Sequence, residues 1–248
     1  MTERGGVAEW KLRAGAVPVA VGLALAFHGC ETGHLAQRSA LSMPLHELGH
    51  ALTAWWCGFS AIPTLWKTLI PESRGIVLPA AVAALNGFLL WRGWVSGKNA
   101  VFAFGAVLGV LQFFAYTSTT ETAHMAITFG GDAGGMILGT GLMLLFFVPE
   151  SSKLREHHLR YGFLGIGAAG LVDCFATWWS ARSNLAAIPF GEIEGVGLSD
   201  PSKLVEDHGW TEAQIVDRYV KVGTACTLVL VVVWLWATWS ARKRAELT

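Results

Sequence analysis

Long apolar stretches with few charges recur along this chain. They lie at 14–30, 76–95, 99–119, 132–148, 161–181 and 222–240. A helix of about 20 mostly apolar residues can cross a bilayer, because every backbone N–H and C=O is then bonded within the segment. The pattern therefore predicts an all-α, polytopic integral membrane protein whose surface contacts the lipid bilayer.

A seventh segment, 41–59, also has a helical pattern but is more polar than the others. Ser42 is a candidate N-cap, and Pro44 would stand in the first turn, where a missing N–H costs little. With this segment included, we expect six to seven transmembrane helices around a polar metal site, in a single membrane domain covering 1–248.

Basic residues predict how the chain is oriented. The runs 242–244 and 153–160 flank the last two spans, and such residues favour the cytoplasmic side, so we expect a cytoplasmic C-terminus. Seven full crossings would then put the basic N-terminus, with Lys11 and Arg13, outside. Either segment 41–59 does not cross fully or the N-terminus departs from the charge rule, and the sequence leaves both explanations open.

The hydrophilic region 182–221 separates the last two spans and is rich in acidic residues. By the same orientation it should lie on the outer side. We expect it to be an extramembrane segment with short helices near 201–208 and 211–220, available to contact a substrate or a partner.

Composition narrows the class of protein further. The chain is 53% hydrophobic and 15% charged, whereas soluble domains carry about 25% charged residues. Its formal net charge of +0 offers no basic surface, so nucleic acid is excluded as a partner. The four cysteines form no CxxC pair, which indicates ordinary apolar packing and not a cysteine metal cage.

The chemical signal of the sequence is the HExxH pattern at 46–50, within segment 41–59. Residues four apart share one face of a helix, so His46 and His50 can bind one metal ion while Glu47 reaches a water on that ion. Zinc bound by such ligands lowers the pKa of its water to about 7, and a carboxylate can then act as general base. Two histidines and a glutamate at membrane depth are costly unless they are paired or metal-bound, which strengthens the metal interpretation.

At this motif the chain resembles the site-2 protease family of intramembrane zinc metalloproteases. Residues 46–52, His-Glu-Leu-Gly-His-Ala-Leu, match the first motif of the family, and Cys57-Gly58 follows as in its members. Residues 129–138 are similar to the family's Asp-Gly-Gly segment at the start of a later span, although an alanine follows Asp132 here. Residues 84–88, with their Asn-Gly step, are similar to a further span of the family.

The third metal ligand has two candidates. The resemblance implies Asp132, and its flanking glycines would let the backbone approach a buried site, with the carboxylate at a helix N-terminus. The alternatives for Asp132 are a simple N-cap role and replacement by His124, which shares a helical face with Glu121 and could bind the metal or support a ligand.

Three other polar residues stand in apolar surroundings. Asn86 and Asp173 are expected to form hydrogen bonds across helices, and His28 near a span end is expected to reach the headgroup region.

The leading functional hypothesis is an intramembrane zinc metalloprotease that hydrolyses peptide bonds of membrane protein substrates, with Glu47 as catalytic base and His46, His50 and either Asp132 or His124 as Zn²⁺ ligands. The alternative is a non-proteolytic structural subunit or chaperone of a membrane complex that keeps the metal site. A third ligand and a substrate-sized cleft would favour the enzyme. A transporter is disfavoured because the chain has no internal repeat, while iron or cobalt could replace zinc.

Overall fold

The protein is described by a computed structural model that covers residues 3–193 and 197–247. The helices are α1 (Glu3–His28), α2 (Glu31–Gln37), α3 (Met43–Cys57), α4 (Val77–Val95), α5 (Asn99–Thr117), α6 (Thr120–Leu144), α7 (Lys153–Glu156), α8 (Leu159–Ala181), α9 (Asp200–Glu206) and α10 (Glu212–Glu246). A π-helical turn, Arg38–Ser42, joins α2 to α3. Two short antiparallel hairpins pair β1 (Ile62–Pro63) with β2 (Thr68–Leu69), and β3 (Glu192–Ile193) with β4 (Gly197–Leu198).

Among the described residues, five helical stretches are long and apolar enough to cross a membrane. They are Glu9–His28, Asn99–Thr117, Thr120–Phe147, Leu159–Ala181 and Glu212–Glu246. This is fewer than the six to seven expected. The predicted segments 41–59 and 76–95 do form helices α3 and α4, but neither is among the five: α3 has only 15 residues, and α4 carries Asn86 and Arg92.

The start of α1 and the end of α10 lie at the same end of the helical bundle. Trp234 of α10 donates a hydrogen bond to the Arg13 carbonyl (2.9 Å), and the Arg242 guanidinium lies 5.9 Å from the Trp10 ring. Arg160, at the start of α8, donates to both carboxylate oxygens of Glu9. The basic residues near both termini and before α8 therefore share one end of the bundle.

Glycines let α3 approach α6 at backbone contact distance. A Cβ at Gly49 would lie 2.9 Å from the Gly131 carbonyl oxygen, and a Cβ at Gly134 would overlap the Gly49 Cα. Small residues at helix interfaces permit this kind of contact in membrane proteins. Because residue numbers rise along α3 as they fall along α6, the two helices are antiparallel, and the HExxH face of α3 meets the middle of α6.

Three boundaries differ from the sequence-based expectations. Helix α6 begins at Thr120 and not near 132, because Thr119 caps it and its glycines pack against α3 without ending the helix. The predicted helix at 211–220 is the first part of α10, since the Thr211–Gln214 capping box starts a helix with no breaker behind it. Ser42 has helical dihedral angles and caps nothing, because its hydroxyl bonds to Asp173.

Helices α4 and α5 form an antiparallel hairpin with a polar contact inside it. Asn86 donates to Gln112 Oε1 (2.9 Å), and Gln112 donates to the Pro79 carbonyl (2.7 Å). Asn86 is thus hydrogen-bonded across helices, as expected from the sequence.

We predict that Gly134→Ala destabilises the protein, because the added methyl group would overlap the Gly49 backbone. Overpacking of this kind costs about 1–3 kcal/mol. Gly141→Ala is the matched control in the same helix, since a Cβ there meets nothing within 4 Å. Thermal unfolding in detergent measures both variants. Equal unfolding temperatures for the two would contradict the close α3–α6 contact.

Candidate metal centre

His46 and His50 lie one turn apart on α3 and point the same ring atom at a common position. Their Nε2 atoms are 3.1 Å apart, and both side chains are buried. The helix places them there because residues four apart share a face, and that face is turned toward α6 by the glycine contact.

The opposite nitrogen of each ring is held by α6. His46 Nδ1 lies 2.8 Å from Asp132 Oδ1, and His50 Nδ1 lies 2.7 Å from the Ile127 carbonyl oxygen. A carbonyl oxygen only accepts, so His50 Nδ1 must carry the proton, and the Asp132 carboxylate favours the same arrangement at His46. In the neutral rings both Nε2 atoms then present lone pairs.

The third group at this position is Asp200, at the start of α9. Its Oδ2 lies 3.1 Å from His46 Nε2 and 2.9 Å from His50 Nε2. Ser199 caps α9 and Pro201 occupies its first turn, which fixes where the Asp200 side chain leaves the backbone.

Neither sequence candidate for the third ligand belongs to this three-atom cluster. Asp132 lies in the middle of α6, where Oδ1 faces His46 Nδ1 and Oδ2 accepts a 2.7 Å hydrogen bond from Trp178 Nε1. It is therefore neither an N-cap nor at a helix N-terminus. The ring of His124 packs against Phe59, with centroids 5.0 Å apart. The groups whose atoms converge are His46, His50 and Asp200.

The donor set suits a zinc ion. Two imidazole nitrogens and one carboxylate oxygen form the three-ligand set of hydrolytic zinc sites, which leaves one position for water or substrate. Ligand atoms at about 2.0–2.1 Å from a tetrahedral ion would be about 3.3 Å apart, and the three separations here are close to that. Each imidazole also donates its other N–H to an oxygen, as metal-binding histidines do.

Glu47 lines the same cavity as these three residues. The cavity has a volume of about 220 Å³, and its walls also include hairpin residues Trp66 to Thr68 and the segment from Leu198 to Lys203. The Thr68 hydroxyl lies 2.7 Å from Glu47 Oε2 and 2.8 Å from the Glu47 carbonyl oxygen. The carboxylate of Glu47 is thus buried and held in one orientation by the hairpin.

The sequence did not indicate Asp200 as a site residue, because its neighbours in sequence do not distinguish it from other aspartates. Ser-Asp-Pro is an ordinary helix start, and the aspartate is one of many acidic residues in region 182–221. Residues 194–196 of that region lie outside the described part of the chain. His50 and Asp200 are 150 positions apart in the sequence, so only the folded chain brings the two together.

Comparison with known proteins identified no relative of this chain. No protein-family model, no curated protein and no solved structure matches the chain.

We predict that substitutions of Asp200 and Asp132 distinguish a metal ligand from a residue that only orients a ligand. Asp200→Ala should abolish zinc retention, because it removes one of three donors. Asp132→Asn should weaken zinc affinity by about 10–100-fold, which is the usual effect of losing a group that orients a ligand. Competition with a chromophoric chelator measures both affinities, with the exposed Asp207→Asn in the same segment as control. The reverse ranking would make Asp132 the ligand.

Proposed function

We propose that this chain is an integral membrane zinc metallopeptidase that hydrolyses peptide bonds of membrane protein substrates. The observation that carries the proposal is the convergence of three lone pairs, from His46, His50 and Asp200, on one point of a buried cavity that Glu47 also lines. Two imidazole nitrogens and one carboxylate oxygen at these separations are a donor set that suits a divalent cation such as zinc.

The proposed membrane arrangement has six crossings, made by α1, α4, α5, α6, α8 and α10. Helix α4 joins the five apolar helices because it is the antiparallel partner of α5. Helix α3 does not cross, since it begins beside the middle of α6. An even number of crossings agrees with basic residues of both termini at one end of the bundle, and the charge rule makes that end cytoplasmic.

Within the proposed site each residue has a distinct task. A zinc ion held by His46, His50 and Asp200 would polarise the scissile carbonyl and acidify a water. Glu47 takes the proton of the attacking water and returns it to the leaving amine. Asp132 and the Ile127 carbonyl keep the two imidazoles in the ligating tautomer, while Thr68 holds the Glu47 carboxylate toward the cavity.

The size of the cavity limits which substrates can reach the site. Sites for small ligands measure about 300–1,000 Å³, and this cavity is smaller at about 220 Å³. This cavity is therefore not the substrate-sized cleft expected of an enzyme, and we propose that a peptide enters in extended form between the Trp66–Thr68 hairpin and the Asp200–Lys203 segment. A span that unwinds easily is the expected substrate, since a helical peptide bond is shielded by its own turn.

We predict that Glu47→Gln abolishes cleavage while zinc stays bound. Loss of a general base lowers the rate by about 10²–10⁴-fold. The assay uses proteoliposomes containing single-span test proteins whose membrane segment carries Gly, Asn and Pro. Glu72→Gln, at an exposed loop position, is the control and should cleave like the wild type. Cleavage that persists in Glu47→Gln would refute the proposed base, and zinc binding without cleavage by the wild type would favour a structural subunit.

We also predict that Thr68→Val slows cleavage, because it removes the hydrogen bond that orients Glu47 but keeps the side-chain shape. A hydrogen bond to a charged group contributes about 1.5–3 kcal/mol, which corresponds to a loss in kcat of about 10–150-fold. Thr68→Ser keeps the hydroxyl and should retain most of the activity. Equal rates for the valine and serine variants would show that the hairpin does not orient Glu47.

A further inference from the structure

A second group of histidines and a carboxylate lies where α1 ends beside α8. His28 closes the last turn of α1, His34 is in α2, and Asp173 comes from α8. Asp173 Oδ1 lies 2.8 Å from His34 Nε2 and 3.4 Å from His28 Nδ1. The three atoms all lie within 4.8 Å of one another.

The backbone is built to bring the two imidazoles together. The chain breaks at Gly29-Cys30 and turns back as α2, so that the rings of His28 and His34 come to a centroid distance of 4.4 Å. Gly33 makes this return possible, because a Cβ there would lie 2.7 Å from the Phe27 carbonyl oxygen. The pair is thus produced by a specific close approach and not by two mobile side chains meeting at a surface.

The other oxygen of Asp173 is already satisfied. Its Oδ2 accepts hydrogen bonds from Arg38 Nη1 (3.0 Å) and the Ser42 hydroxyl (2.5 Å). These contacts hold the carboxylate in place, and Arg38 also lies 3.8 Å from Asp132. The two histidines face the other oxygen, Oδ1, and their arrangement around it requires a separate explanation.

The contacts inside the cluster are short, but they are poorly aligned as hydrogen bonds. Asp173 is fully buried, and among the described residues neither its Oδ1 nor the buried His28 Nδ1 has a hydrogen-bond partner. Leaving such groups unpaired is costly in a protein interior. Two imidazole nitrogens and a carboxylate oxygen that converge without hydrogen-bond geometry have the arrangement of ligands around a cation.

We propose that His28, His34 and Asp173 form a second binding site for a divalent transition-metal ion of the zinc type. The donor set is again two imidazoles and one carboxylate, which suits zinc and its first-row neighbours and not calcium or magnesium. His34 is 41% exposed, so an ion can enter from solvent and keep a water ligand. The site shares no ligand with the His46 centre, although Arg38 lies 3.0 Å from Asp173 and 3.8 Å from Asp132.

The test is a count of metal ions per chain. The detergent-purified full chain is equilibrated with Zn²⁺, desalted, and analysed by mass spectrometry of the metal. We expect about two ions in the wild type, about one in His34→Ala, about one in His50→Ala, and none in the double variant. His157→Ala, which removes an exposed histidine, should retain both ions. Thermal unfolding in chelator, equal for wild type and His34→Ala, shows that the fold is intact.

The variants also distinguish this proposal from the proposed function. One ion that is lost in His50→Ala but kept in His34→Ala would overturn the second site and leave the first. One ion that is lost only in His34→Ala would support the second site and overturn the first. With Co²⁺ as probe, His34→Cys should retain the ion and add thiolate-to-metal absorption, and its absence would refute direct ligation by residue 34.

Discussion

The contact between the backbones of α3 and α6 determines the position of every group in the candidate metal centre. Gly49 meets Gly130, Gly131 and Gly134 with no side chain between the two helices. At that spacing the imidazoles of α3 reach acceptors that belong to α6 itself. A longer separation would leave His46 without Asp132 and His50 without the Ile127 carbonyl, and the two imidazole rings would then have no defined tautomer.

The charged groups around the candidate metal centre compensate one another. Arg38 lies between the carboxylates of Asp132 and Asp173, and Trp178 donates to Asp132 from a fully buried position. Charges in a low-dielectric interior are expensive unless they are compensated and hydrogen-bonded. The π-helical turn that precedes α3 contributes both Arg38 and Ser42 to this network, which agrees with the frequent occurrence of such turns at functional sites.

The segment at the start of α9 completes the three-atom cluster and also lines its cavity. Asp200 Oδ2 faces the Nε2 atoms of two histidines that contacts between α3 and α6 orient. The same segment, together with the β1–β2 hairpin, walls the cavity in which Glu47 lies. The candidate metal position and the wall of its cavity therefore depend on the same few residues at the start of α9.

The sequence by itself determined the features that follow from local spacing. The apolar runs indicated the long helices, and the HExxH spacing placed His46, His50 and Glu47 on one helix, because helical periodicity needs no information from elsewhere in the chain. It also indicated that Asn86 would be paired across helices. It did not determine where α6 begins, because glycine pairs end helices in water but pack them together in an apolar bundle.

Only the tertiary structure decided which carboxylate faces the Nε2 atoms of His46 and His50 and which one faces His46 Nδ1. Asp132 and Asp200 are both single aspartates next to helix-compatible residues, and nothing in their neighbours distinguishes a group that supports a histidine from one that faces the metal position. The sequence likewise contains no motif that would connect His28, His34 and Asp173. These roles depend on contacts between residues far apart in sequence, and such contacts are set by how closely the helices pack.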